Sequence, residues 1–172
     1  MKRLLIASAL LTLVAGAAHA GESPFNEVTI HIGVVTSDLD AAVAFYTDVI
    51  GMTKTGGFEV DAEFGRKSGL TRGLPLSVTV LRLQDSPDAA QFKLMSFEND
   101  AETPKSANIE DALGMQYITL MVSDLTPVVA RIEAAKVPFL GETPVPLGDS
   151  GNHFVLVQDP DGTFIELIGP MK

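Results

Sequence analysis

The sequence predicts an α+β domain made of two tandem βαβββ modules, with curved mixed sheets facing each other and helices outside. The main observation is an internal repeat at an offset of 86 residues. Residues 28–39 form an apolar strand pattern that runs into a helix start, and residues 115–125 repeat it, with Ser-Asp-Leu at the end of both. A repeated strand, cap and helix rarely arises by chance, so both halves are expected to share one topology. The order of elements differs from the regular alternation of a doubly wound sheet.

A helix is predicted after each Ser-Asp-Leu, because the spacing of apolar residues changes there from two to three or four. In the first copy Asp38 can cap the helix and Gly51 can end it. In the second copy Pro127 is acceptable in the first turn, where its missing N–H costs nothing. Both predicted helices are amphipathic and would cover one face of a sheet.

Three strand-like stretches follow each helix. They are residues 58–60, 76–83 and 91–97 in the first copy and residues 139–140, 154–158 and 163–168 in the second. The residues Asp159-Pro160-Asp161-Gly162 predict a type I turn with a glycine bulge between the last two strands. The first copy has 13 extra residues around 61–73, and this charged, Gly-containing stretch predicts a loop or flap.

Residues 1–20 have the pattern of a bacterial-type secretory signal peptide. Lys2 and Arg3 precede an apolar run, and Ala18-His19-Ala20 places small residues at a cleavage site. The run is short for a bilayer span, so no stable membrane anchor is expected after cleavage. The sequence therefore predicts a periplasmic or secreted protein with a single domain over residues 21–172, module one covering about 25–100 and module two about 112–170.

Charge and cysteine content exclude several classes of function. The whole chain carries a formal net charge of −10, and loss of Lys2 and Arg3 with the signal makes it −12. Such a surface repels nucleic acid, and it favours a neutral or cationic small-molecule ligand. The chain has no cysteine, so thiolate catalysis and disulfides are excluded.

Strand alternation predicts which side chains face away from the helices. If Asp159 pairs with Thr163 across the turn, Leu156 pairs with Glu166, and Glu166 points away from the helices. The same alternation places His31, Lys93 and Tyr117 on the corresponding faces of their strands, so all four polar residues are expected in one cleft between the modules. Met95, Met121 and Phe164 are expected to line its apolar wall, with ordinary core packing as the alternative.

These motifs resemble the vicinal oxygen chelate superfamily, which includes glyoxalase I, epimerases, extradiol dioxygenases and the fosfomycin and bleomycin resistance proteins. The resemblance rests on His31 with Asp38-Leu39, on residues 44–52, and on Asp159-Pro160-Asp161-Gly162 followed by Ile165-Glu166-Leu167. It covers essentially the whole chain after residue 20, and homodimers are common in this family.

The resemblance implies four metal-ligand positions, which fall on His31, Lys93, Tyr117 and Glu166. His31 and Glu166 suit a divalent ion, but a protonated Lys93 offers no lone pair and Tyr117 is an unusual ligand. A catalytic zinc site normally has three protein ligands, so the sequence predicts a degenerate metal site. Lys93 can instead pair with Glu166 as an internal cation.

Two functions remain open. One is a glyoxalase-like lyase or isomerase that acts next to a carbonyl, with Glu166, His31 and Tyr117 as catalytic candidates and a metal held by His31 and Glu166. The other is a metal-free protein of the bleomycin-resistance type that binds or sequesters a small molecule. His153 is predicted on the helix face; a shorter turn would place it beside Glu166.

Overall fold

Within the part of the chain that the structure describes, eight strands form two four-stranded sheets with the same topology. The structure, a computed structural model, describes residues 24–97 and 106–172. The predicted signal peptide lies outside the described residues. Within the described part of the chain, no helix is long and apolar enough to span a bilayer.

The first sheet has the strand order β1-β4-β3-β2. Its strands are β1 Ile32–Val35, β2 Thr53–Val60, β3 Leu76–Arg82 and β4 Gln91–Ser96. Helix α1 (Leu39–Ala44) continues into a π-helical segment, Phe45–Ile50, and α2 (Ala62–Ser68) lies between β2 and β3. Strand β1 is parallel to β4, and the other neighbours are antiparallel.

The second sheet repeats this arrangement with the order β5-β8-β7-β6. Its strands are β5 Tyr117–Met121, β6 Val145–Pro146, β7 Asn152–Gln158 and β8 Phe164–Pro170. Helix α3 (Thr126–Ala134) follows β5, and a 3₁₀ turn, Ile109–Asp111, comes before β5. The two-module βαβββ fold predicted from the repeat is therefore confirmed.

The capping and turn residues act as the sequence predicts. The Asp38 carboxylate accepts the Ala41 N–H at 3.0 Å, and Gly51 ends the π-helical segment in the left-handed conformation with φ 99°. Gly162 follows the turn after β7 with φ 94°, and its N–H donates to the Asp159 carbonyl at 3.0 Å. These local contacts mark the start of α1, the end of the π-helical segment and the turn of the last hairpin.

Each sheet has one face against the helices and one face away from them, here called the open face. The helix faces of both sheets pack with α1, the π-helical segment and α3 in one continuous core. Tyr46, Leu94, Ile132, Val155 and Leu167 are fully buried there. The open face of the first sheet carries a second apolar cluster, which consists of Leu76, Val78 and Val80 with Val60, Met95 and Phe97.

Three local predictions were wrong. Residues 61–73 contain a helix as well as a turn, because Asp61 caps α2 by accepting the Phe64 N–H at 2.7 Å and Glu63 pairs with Lys67 at 2.6 Å. The edge strand of the second sheet is β6, not residues 139–140. Residues 28–31 precede β1 and leave Val28 and Ile30 exposed, because their backbone does not join the β4 ladder.

Hydrogen bonds from side chains join the two modules. The Tyr46 hydroxyl donates to Asp159 Oδ2 at 2.8 Å, in a buried contact between the π-helical segment and the turn after β7. Burial and the neighbouring Asp159 carboxylate raise the pKa of Tyr46 far above its ordinary value, so the hydroxyl stays protonated. From α3, Arg131 donates to the carbonyls of Val49 and Ile50 at 2.8 and 3.1 Å, where the π-helical segment ends.

We expect Tyr46→Phe to lower the free energy of unfolding by about 1–3 kcal/mol, because it leaves a buried carboxylate oxygen without its donor. Urea unfolding followed by circular dichroism measures this change. The chain's other tyrosine gives a matched control, since Tyr117 is 47% exposed and its hydroxyl makes no hydrogen bond with the described residues. Equal effects of Tyr46→Phe and Tyr117→Phe would contradict the prediction.

Candidate functional site

The strand register shows where the predicted site residues stand. On the first sheet, Lys93 lies on the open face between Gly33 on β1 and Val80 on β3. On the second sheet, Glu166 lies on the open face between Thr119 and Leu156. The predicted pairing of Leu156 with Glu166 is confirmed. Both charged side chains are half-buried, and neither makes a hydrogen bond or ion pair with the described residues.

The predicted ion pair between Lys93 and Glu166 is not formed. The ion pairs of the described residues join His31 with Glu27 and Lys67 with Glu63. Alternation along a strand fixes the face on which a side chain stands. It does not set the distance between side chains on different sheets.

The imidazole of His31 is occupied by this chain's own groups. The residue is exposed and stands just before β1. Its Nδ1 accepts the N–H of Gln91 at 2.8 Å, so the proton of the neutral ring lies on Nε2, which donates to Glu27 at 2.9 Å. With Nδ1 accepting and Nε2 donating, neither nitrogen has a free lone pair in this arrangement.

The remaining candidates differ in exposure and surroundings. Tyr117 begins β5 beside Phe164, which is 2% exposed and lies under the segment that leads to β5. Met121 is 68% exposed near the end of β5, whereas Met95 is half-buried and faces Gly33. That Met95, Met121 and Phe164 line one cleft stays a prediction.

His153 lies on the helix face, as predicted. It pairs with Gly169 across β8 and with Pro146 across β6, and its Nδ1 is buried without a hydrogen-bond partner among the described residues. It is thus on the opposite face of β7 from Leu156, the residue that pairs with Glu166.

A pocket on the open face of the first sheet involves residues that sequence reasoning missed. This flap pocket has a volume of about 600 Å³, and α2 with the turn after it forms one side. Its apolar lining is Val35, Leu70, Leu74 and Phe97, and its charged lining is Arg66 and Arg72. The 13 extra residues of the first copy indicated where this segment lies. The i, i+4 spacing of Glu63 and Lys67 was a further signal, because such a pair favours a helix.

Comparison with known families gives one match. The model of the Glyoxalase/Bleomycin resistance protein/Dioxygenase superfamily matches residues 29–167. The chain belongs to this superfamily. Proteins of the superfamily bind small molecules, and the fold supports a binding or an enzymatic role for this chain.

Solved structures share the fold at low sequence identity. A glyoxalase family protein from Bacillus cereus is 20% identical, with 88% of this chain and 98% of that chain covered and a TM-score of 0.69. The trypanothione-dependent glyoxalase I of Leishmania major is 22% identical, with coverage of 81% and 84% and a TM-score of 0.59. A fosfomycin resistance protein from Listeria monocytogenes, in complex with Mn(II) and sulfate, is 14% identical, with coverage of 86% and 94% and a TM-score of 0.53. None of the curated proteins matches the chain.

The turn at residues 159–162 connects the two modules through hydrogen bonds of its aspartates. Asp161 Oδ1 accepts the N–H of Ser37 at 3.0 Å and its hydroxyl at 2.5 Å. Asp159 Oδ1 accepts the N–H groups of Asp161 and Thr163 at 3.0 and 2.7 Å. The turn therefore ties the start of β8, which leads to Glu166, to the end of β1.

Asp161 predicts a measurable pH dependence. Burial alone would raise its pKa, but the side chains of Ser37 and Thr36 and the Ser37 N–H together outweigh burial and hold the pKa below its ordinary value of 3.8. The Asp161 carboxylate therefore stabilises the folded state above pH 3.8, and this stabilisation is lost as the pH falls through the lowered pKa. We expect Asp161→Asn to be less stable than wild type at pH 7, and the difference to shrink below pH 3.8.

Urea unfolding midpoints across this pH range measure the effect. Asp149→Asn is the matched control, because Asp149 is exposed and makes no hydrogen bond with the described residues. A difference between wild type and Asp161→Asn that stays constant with pH would contradict the prediction.

Proposed function

We propose that this superfamily member is a metal-free small-molecule-binding protein of the bleomycin-resistance type. The observation that carries the proposal is the apolar open face of the first sheet. Leu76, Val78 and Val80 are at most 9% exposed although they lie on the face away from α1 and α3. An apolar sheet face beside a pocket of about 600 Å³ is the usual surrounding of a small organic ligand.

The donor set does not fit the metal that the superfamily implies. His31 has both ring nitrogens in hydrogen bonds, Lys93 brings a positive charge, and Tyr117 offers a phenol. Among the described residues, no group of three or more His, Cys, Asp or Glu side chains could hold a metal ion.

A second candidate is the glyoxalase-like lyase or isomerase. It is favoured by Glu166, a half-buried carboxylate that makes no hydrogen bond with the described residues and is therefore available as a base beside a carbonyl. A homodimer, common in the superfamily, is compatible with both candidates.

We expect the purified protein to bind less than one equivalent of Zn²⁺, Ni²⁺ or Mn²⁺ after dialysis, as measured by elemental analysis and calorimetry. Lys93→Glu is the matched variant, because it removes the cation and supplies a carboxylate, and it is expected to bind metal more tightly than wild type. If wild type held one equivalent and lost it in Glu166→Gln, the metal-dependent enzyme would be the better conclusion.

We further propose that residues 1–20 direct export and are removed, which would place the protein in the periplasm or outside the cell. Expression of the full chain in a bacterium with a periplasm tests this. The periplasmic fraction is expected to contain a protein that begins at Gly21, identified by its intact mass. A full-length protein in the cytoplasm or the membrane fraction would contradict export and cleavage.

A further inference from the structure

We propose that the flap pocket binds a small organic carboxylate with an apolar body through Arg66 and Arg72. The inference rests on the proposed function and names the chemical class of its ligand. The flap is specific to module one, since the first copy is 13 residues longer than the second at this place. The pocket therefore breaks the symmetry of the two modules.

The two arginines of the pocket are free to bind a ligand. Four arginines lie in the described part of the chain, and two of them are used by the fold. Arg82 donates to the carbonyls of residues 86, 87 and 89, and Arg131 donates to those of residues 49 and 50. The guanidinium groups of Arg66 and Arg72 make no hydrogen bond or ion pair within residues 24–97 and 106–172.

The acidic residues of the flap are already engaged. Asp61 caps α2, and Glu63 pairs with Lys67 at 2.6 Å. The two guanidinium groups therefore have no carboxylate partner within the flap. A guanidinium presents a planar set of N–H donors that fits a carboxylate in a bidentate geometry, so an oxyanion is the ligand group that fits this charge.

Helix α2, which carries Arg66, and the turn after it, which carries Arg72, are held together by hydrogen bonds of their own. The Thr71 hydroxyl donates to the Leu74 carbonyl at 2.8 Å, and the Thr71 N–H donates to the Gly65 carbonyl at 3.0 Å. A Cβ at Gly65 would collide with the Thr71 hydroxyl, so only glycine permits this packing. A fixed turn lowers the entropy cost of binding.

The rest of the pocket suits a hydrocarbon. Leu70 and Leu74 are 55% and 42% exposed on the flap side, and Val35 is 44% exposed on the sheet side. Phe97 joins the pocket to the apolar cluster of the open face. Binding an apolar chain here would remove these side chains from water, which stabilises the complex.

Calorimetry with decanoate, 1-decanol and decyltrimethylammonium tests the proposal on the mature protein. The three probes share one chain length and differ in the charge of the head group. Wild type is expected to bind decanoate about tenfold or more tightly than 1-decanol, and the cationic probe least tightly. Arg66→Gln and Arg72→Gln are each expected to weaken decanoate binding about tenfold and to leave 1-decanol binding unchanged.

Lys67→Gln is the matched control, because it removes one positive charge from the same helix at a side chain that Glu63 already pairs. It is expected to change decanoate affinity by less than about twofold. Thermal melts by circular dichroism show whether each variant is folded, and both arginines are exposed.

Three results would overturn the proposal. They are equal affinity of wild type for decanoate and 1-decanol, an equal loss of affinity in Lys67→Gln, and no decanoate binding by folded wild type. These outcomes are separate from a failure of the proposed function. One equivalent of tightly bound metal in wild type would overturn the metal-free function and leave the decanoate result intact.

Discussion

The two buried aspartates of the turn at residues 159–162 hold the modules in their relative positions. Each sheet is complete by itself, and no backbone ladder joins β1 to β5. Asp159 accepts the Tyr46 hydroxyl, and Asp161 accepts two donors from Ser37, so the donors come from module one and the acceptors from module two. Buried carboxylates are costly unless they are hydrogen-bonded. These contacts thus favour one arrangement of the two open faces.

The topology could be predicted from the sequence because its signals are local and occur twice. Asp38 and Gly51 mark the first helix, and the turn at residues 159–162 sets the register that brings Leu156 opposite Glu166. Helix α2 has seven residues, too few for apolar periodicity to report it. Three contacts accompany α2: the Asp61 cap, the Glu63–Lys67 ion pair and the close approach of Thr71 to Gly65. The first two form only when the side chains adopt particular conformations, which apolar periodicity does not report.

The sequence predicted on which face of its sheet each candidate side chain lies, but not which groups that side chain contacts. Alternation correctly separated Glu166 from His153, because side chains on a strand point to opposite faces in turn. It could not show that the ring of His31 is held by Glu27 and Gln91, since that contact depends on residues 28–31, predicted as strand, lying outside β1. Likewise, it could not predict the distance between Lys93 and Glu166, which depends on how the two modules dock.

The net charge of the chain and the charge of the side chains that line the flap pocket have opposite signs. The chain carries −10 overall, which favours a neutral or cationic ligand at long range. At physiological ionic strength, however, exposed charges more than about 8 Å apart are largely screened, so groups in contact with the ligand dominate recognition. Arg66 and Arg72 line the flap pocket, and Lys93 lies on the same open face as Phe97, which also lines it. Under the proposed function, Arg66 and Arg72 would bind the oxyanion of the ligand in the flap pocket, and that contact needs no metal ion.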